Sequence, residues 1–189
     1  MTPRTIDELL AGVDEIRRSP RDHGTLALIV VRPSVNERQI VEFATIDETD
    51  GVVGDGWRTR GSSRTPDGAA DPLAQVTLMN ARAAALIAVT PERRALAGDQ
   101  LFVDFDLGGE ALPVGTRLAV GNAVLEVSPK PHTGCAKFVE RFGADAQRFV
   151  NTDVGRELNL RGIFAVVVTG GSVRVGDAIT KLGGTKLVP

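Results

Sequence analysis

The chain has one cysteine, two histidines and no apolar run approaching the roughly 20 residues of a membrane-spanning helix. A lone cysteine excludes an intramolecular disulfide, and one thiol with two imidazoles falls short of the usual structural zinc ligand set. An excess of either charge is lacking too: 22 Lys plus Arg face 24 Asp plus Glu, a net −2. No diffuse cationic field draws in nucleic acid or an anionic membrane, and neither is expected as a partner. The N-terminus carries Asp7, Glu8, Asp14 and Glu15 where a secretion signal needs an unbroken apolar stretch, so a cytoplasmic location is expected. Gly54-Asp55-Gly56 lacks the third glycine of a dinucleotide loop. No phosphate-loop lysine motif occurs, and Gly170-Gly171-Ser172 runs into Val173-Arg174 without forming a nucleophile elbow.

What is present is an ordinary globular composition: 189 residues, 42% apolar and 24% charged, enough for one domain with its own core. Ile6, Leu9, Leu10, Val13 and Ile16 recur at helical spacing between Thr5 and Arg18. Thr5 and Glu8 have the spacing of a capping box, and Ser19-Pro20 ends the helix. From Gly24 the pattern changes to β-branched runs: Thr25–Arg32, Arg38–Ile46, Gln75–Met79, Gln100–Leu107, Arg117–Val120, Val124–Ser128, Ile163–Thr169, Ser172–Val175 and Ala178–Leu182. Short separators such as Gly108-Gly109, Gly121-Asn122 and Gly170-Gly171 predict antiparallel hairpins and hence a barrel or sandwich. Helical pattern interrupts at Asn80–Val89, where Asn80 is a capping residue, and from Thr133 to about Leu158, where Gly143 and Gly155 divide two or three short helices. The expected organisation is an N-terminal amphipathic helix packing on the body (1–22), a barrel domain (23–183) and a tail (184–189). The class is mainly β with a few short helices, α+β.

The segment richest in chemistry is Pro129-Lys130-Pro131-His132-Thr133-Gly134-Cys135, followed by Lys137, Phe138, Val139, Arg141 and Phe142. Two prolines hold the exit from a strand extended, and Thr133 as N-cap places Cys135 in the first turn of a helix. There, unpaired backbone N–H groups and the nearby His132, Lys137 and Arg141 favour a thiolate. Equally, Cys135, Phe138, Val139 and Phe142 fall at i, i+3, i+4 and i+7, the spacing of a buried helix face. Both readings stand on spacing alone. His132 is a candidate proton carrier or a capping group. The polar stretch Arg58–Pro72 reads as a functional or merely flexible loop, and the repeated Gly-Asp pairs at 54–55, 98–99 and 176–177 read as turns.

Taken in order, Val53-Gly54-Asp55-Gly56-Trp57, Leu96-Ala97-Gly98-Asp99-Gln100, Ala119–Val127, His132-Thr133-Gly134-Cys135, Leu160-Arg161-Gly162-Ile163 and Gly171–Asp177 resemble a MOSC domain, the C-terminal domain of molybdenum cofactor sulfurases. The resemblance runs from Gly24 to Leu182. It implies a β-barrel like that of the pyruvate kinase barrel domain, and a molybdenum cofactor (molybdopterin) as ligand. Cys135 then matches the cysteine that binds molybdenum as thiolate or accepts sulfur, with His132 beside it as a second catalytic candidate.

The cofactor's phosphate monoester, with a charge of about −2, calls for arginine forks, lysine and backbone N–H groups. Arg58, Lys137 and Arg161 are the first candidates, with Arg60, Arg64 and Arg141 behind them. Thr133, Asp55 and Asp99 complete the set, the two aspartates either orienting arginines or closing turns. The resemblance further implies an oxidoreductase acting on N-hydroxylated or similar small substrates, with a separate electron donor. The alternatives are a carrier holding a persulfide on Cys135, charged by a sulfur donor protein, and a non-catalytic barrel with Cys135 in the core. The sequence has one cysteine where many members have two. It shows no aminotransferase-like segment, so pyridoxal phosphate is not expected on this domain.

Overall fold

In the computed structural model, which describes residues 3–183, the strands that carry the strictest alternation form half-buried ladders. β8 (Ala123–Val127) buries Ala123, Leu125 and Val127, and β9 (Ile163–Thr169) buries Ile163, Ala165 and Val167. The other barrel strands are β1 (His23–Val31), β5 (Val76–Asn80), β6 (Leu101–Asp104), β7 (Arg117–Val120) and β11 (Ala178–Lys181). Their order is β11-β7-β8-β9-β5-β6-β1, and β1 pairs back onto β11 through His23–Thr180 and Thr25–Ala178, closing a seven-stranded barrel without a free edge. β2 (Gln39–Val41) adds to β1 outside that ring. A small second sheet joins β10 (Gly171–Arg174), β3 (Phe43–Asp47) and β4 (Gly51–Val52).

All barrel pairings are antiparallel except β5–β6, which is parallel. The crossover between them runs through α4 (Ala81–Ile87) and α5 (Pro91–Ala95). Sequence spacing missed this crossover because it counted only turn separators. Of those, Gly121-Asn122 alone closes a hairpin, β7–β8. Gly170-Gly171 instead marks the step from the barrel to the small sheet, where a Cβ on Gly171 would sit 2.4 Å from the Asn122 carbonyl oxygen. The run 38–46 divides for a similar reason: its first part pairs with β1 and its second with β10.

Strands β5 and β6 are buried on both faces, as parallel-sheet neighbours tend to be, and so are the last three residues of β1, Ile29–Val31. Period-2 alternation, its phase shifted in β1 by a bulge between Leu26 and Leu28, sends Leu26, Ile29, Leu78, Leu101 and Val103 into one cluster with Leu118, Leu125 and Ile179. It sends Val30, Met79 and Phe102 into a second cluster with side chains from the helices. The N-terminal helix breaks at Gly12 into α1 (Ile6–Ala11) and α2 (Val13–Arg17), and the Thr5–Glu8 capping box is formed. Leu9, Val13 and Ile16 pack in this second cluster beside Phe138 and Phe142 of α6 (Ala136–Phe142) and Phe149 of α7 (Ala144–Val150). α8 (Asp153–Glu157) follows, with Gly155 inside it and not between helices. No helix among the described residues is long and apolar enough to cross a membrane. The tail at 184–189 lies outside the described residues.

Phe102, 1% exposed, points from β6 into the helices and ties the two layers together. Phe102→Ala is expected to lower unfolding free energy by about 3–5 kcal/mol, measured by denaturant titration, a large share of the roughly 5–15 kcal/mol typical of a domain.

Candidate functional site

Arg32 follows the last residue of β1 and is only 7% exposed, a position a guanidinium tolerates when paired. Its partner is Asp55, just beyond β4. One carboxylate oxygen accepts from the Arg32 backbone N–H at 3.0 Å and from Nε at 2.7 Å, and the other accepts from a terminal nitrogen at 2.9 Å and from the Trp57 N–H at 2.9 Å. The remaining terminal nitrogen donates to the Gly98 carbonyl. A second clamp repeats the pattern. Fully buried Asp99 accepts from Arg161 at 2.6 Å, and Arg161 donates again to the Ala97 carbonyl at 3.0 Å. Gly162, at φ +99, could not carry a side chain there, since its Cβ would lie 2.3 Å from the Leu78 carbonyl oxygen. The Arg161 guanidinium also lies 5.0 Å from the ring of Phe138.

These clamps stand at a cavity of about 200 Å³ lined by Arg32, Arg38, Arg60, Lys137, Arg141 and Arg161 together with Cys135, Asn36 and Gly98. Asp55 and Asp99 lie behind it, each spent on one arginine. The other four cations have no carboxylate partner within ion-pair distance among the described residues. Arg141 donates to the Leu96 carbonyl at 2.8 Å and to the Asn36 side chain at 3.3 Å. Desolvation and then the like charges of Arg141 and Arg32 push the Arg38 pKa down to about 10, and its buried Nε has no partner. Desolvation and then Arg32 lower that of Arg60. Arg161 Nε is likewise buried and unpartnered. A wall of mutually repelling guanidinium groups is stabilised by an anion set between them. A larger cavity, about 370 Å³, is lined by Phe43, Asn122, Ser172, Arg174 and Asp177 among others and gathers neither a thiol nor like charges.

Cys135 is exposed at the cavity, which overturns the reading of it as a core residue. Only Phe138 and Phe142 of the proposed face are buried; Val139 is exposed. The helix also starts later than the spacing predicts. Cys135 is itself the N-cap, in extended conformation (φ −110, ψ 177), and does not sit in the first turn, while Thr133 is exposed and caps nothing. Gly134, just before Cys135, packs closely: a Cβ there would sit 3.1 Å from the side chains of both Asn151 and Val150 at the end of α7.

Lys137 and Arg161 line the cavity with Cys135, as do Arg60 and Arg141. Arg58 does not: it is exposed and bonds Asp50 at 2.6 Å. Arg64 also lies outside the lining. Sequence reasoning passed over Arg32 and Arg38. Arg32 had a signal, a charge closing an apolar strand run; Arg38 had none.

His132 stands behind the cavity. Its ring stacks on Phe164 at 4.3 Å between centroids, and Nδ1 lies 3.7 Å from the Asp99 oxygen that accepts no hydrogen bond. Burial first, then the charges of Arg161, Arg32 and Lys130, hold its pKa well below 6.5, so the imidazole is neutral. It faces the clamp and not the cavity.

The arrangement therefore offers one solvent-facing sulfur, an anion-binding wall and, among the described residues, no group of three or more His, Cys, Asp or Glu able to hold a metal without help. A family model described as MOSC domain matches residues 72–180, more than half of the chain. The fold is similar to that of YuaD protein from Bacillus subtilis (TM-score 0.61, 18% identity, 83% of this chain and 94% of that one). It is also similar to YiiM from Escherichia coli (0.54, 19%, 87% and 72%) and YiiM from Geobacillus stearothermophilus (0.59, 12%, 87% and 78%). At these identities the likeness is one of fold. No curated protein matches the sequence.

Two outcomes test the clamps. Asp55→Ala, which strands a buried Arg32, is expected to cost about 3–5 kcal/mol in denaturant unfolding. For His132 the folded pKa lies below the unfolded one, so its contribution is complete above pH 6.5 and is lost as pH falls toward the folded value. Relative to His132→Gln, the parent should lose about 1.4 kcal/mol per pH unit below 6.5, read by unfolding titrations at pH 7.5, 6.5 and 5.5.

Proposed function

The chain belongs to the MOSC domain family, and from that premise we propose that it binds the molybdenum cofactor in the Cys135 cavity and works as an oxidoreductase on N-hydroxylated or similar small substrates. The observation that carries the reading is the pairing of a lone exposed thiol with six cations in one cavity.

The residues present fit that cofactor. It brings its own dithiolene sulfurs, so a single protein thiol suffices where the described residues assemble no ligand cluster of their own. Its phosphate monoester, at about −2, answers a wall with four uncompensated cations and two buried, unpartnered guanidinium nitrogens. When bound, the cofactor supplies the oxygen-atom transfer and the change in oxidation state. The chain's part is positional. Cys135 donates its sulfur as a thiolate ligand from an N-cap fixed by the burial of Phe138 and Phe142. Arg32 and Arg161, held by Asp55 and Asp99, form a rigid base, while Arg38, Arg60, Lys137 and Arg141 orient the anionic end. Neutral His132 leaves the charge of Asp99 to Arg161, which makes it a positioning residue. Electrons come from a separate donor protein, the setting is the cytoplasm, and neither nucleic acid nor membrane takes part.

A sulfur-carrier role is the second reading, favoured by the exposure of Cys135, since a persulfide there is open to a partner protein. Protein purified from a cofactor-producing host should carry close to one molybdenum per chain with matching pterin fluorescence, and Cys135→Ala should lose the metal. Arg60→Gln is expected to weaken retention about tenfold, the size of one charge-assisted hydrogen bond. Metal retained in full by Cys135→Ala would reject the ligand assignment. Metal-free protein that accepts labelled sulfur on Cys135 would favour the carrier.

A further inference from the structure

Cys135 is the chain's only thiol, it is exposed, and it opens on a cavity whose wall is cationic beyond what its carboxylates balance. An independent feature of the same wall asks for a ligand. Arg161 is more than nine-tenths buried, yet its Nε has no hydrogen-bond partner, and the Nε of half-buried Arg38 is likewise unpartnered, beside like charges. A field of this kind concentrates small anions next to the sulfur and excludes small cations. It acts on a covalent partner of the thiol as it does on a bound cofactor.

We propose that Cys135 is a thiol–disulfide exchange site selective for small anionic disulfides of the glutathione class, their carboxylates taken by Arg38, Arg60 and Arg161. The Cys135 thiolate attacks one sulfur of the disulfide, and the original S–S bond breaks as the new one forms to Cys135. The other half departs with the electron pair as a thiolate and takes a proton from water. The disulfide is the oxidant: the Cys135 sulfur is oxidised to the mixed disulfide and one half of the reagent is reduced to a thiol. With no second cysteine to resolve it, the adduct lasts until an outside thiol reverses the exchange. While it lasts, the sulfur is unavailable as a ligand or persulfide carrier. The exchange shares its cavity with the proposed cofactor but depends only on the chain's own charges and thiol.

Metal-free full-length protein, from a host unable to make the cofactor, is exposed in parallel to glutathione disulfide, neutral bis(2-hydroxyethyl) disulfide and cationic cystamine, and the adduct is followed by intact-protein mass spectrometry. Each rate is divided by that of a small neutral thiol with the same reagent, which removes intrinsic reactivity. At low salt the normalised rates should fall from the anionic to the neutral to the cationic reagent, with about tenfold or more between the extremes. In 1 M salt, where screening acts over about 3 Å, the spread should collapse. Arg38→Gln with Arg60→Gln should narrow it to within about threefold, whereas Arg117→Gln, outside the cavity and paired with Glu126, should leave it unchanged. Equal normalised rates, a reversed order, or an order indifferent to salt would overturn the proposal. The salt series on the parent protein decides the matter even if the arginine variants do not fold. Molybdenum binding without disulfide selectivity sinks this inference alone, and selectivity without molybdenum binding sinks the cofactor reading alone.

Discussion

Two buried carboxylates hold the rest of the site in place. Taking a guanidinium out of water costs several kcal/mol unless a carboxylate and further acceptors replace the lost hydration, and Asp55 and Asp99 do this for Arg32 and Arg161. Both aspartates follow a glycine of positive φ, Gly54 at +84 and Gly98 at +89, so the turn that a Gly-Asp pair encodes is also what aims a carboxylate inward. At the third pair, Gly176-Asp177, the carboxylate accepts the Arg174 backbone N–H and simply closes the turn. With two cations fixed from behind, the remaining charges of the cavity face one another, and an anion set between them would relieve their repulsion.

The barrel brings these pieces together because several of its strands are two-faced. β5 and β6 pair in parallel, so a helical crossover must join them, and the loop that returns from α5 to β6 carries Gly98 and Asp99 to one end of the barrel. The outer faces of the same strands bury Met79 and Phe102 against Phe138 and Phe142. That packing anchors α6, and the anchor sets where Cys135 emerges. The N-terminal helices complete the layer, with the Ile6 N–H donating to Asp145 at the start of α7 and Arg17 forked on Glu157 of α8. A chain of burial therefore runs from Leu9 to the exposed sulfur of Cys135.

Much of the site could be read directly where local chemistry decided it. The prolines at 129 and 131, the short apolar helix after Cys135 and the Arg161-Gly162 step all point to residues that meet at the cavity. The choice of Arg58 over Arg60 failed for a geometric reason. Both lie on the four-residue helix α3 (Trp57–Arg60), which is pinned by buried Trp57. Three residues on, nearly one turn, Arg60 comes round toward the side Trp57 occupies, while Arg58 turns out to Asp50. His132 looked like a proton carrier by adjacency to the thiol, but its extended neighbours turn it the other way, onto Phe164 and Asp99.

Periodicity, capping residues and Gly-Asp turns determine most of the strands, the helix starts at Thr5 and Asn80 and the class of fold, because each depends on hydrogen bonds and side-chain spacing within a few residues. The assembly of six cations around one sulfur, the burial of their two counter-charges and the exposure of Cys135 were decided by tertiary structure. Asp55 and Arg32 are 23 residues apart and Asp99 and Arg161 are 62 apart. A Coulomb interaction depends on distance through space and on the water removed between the charges, and neither exists until the barrel has closed.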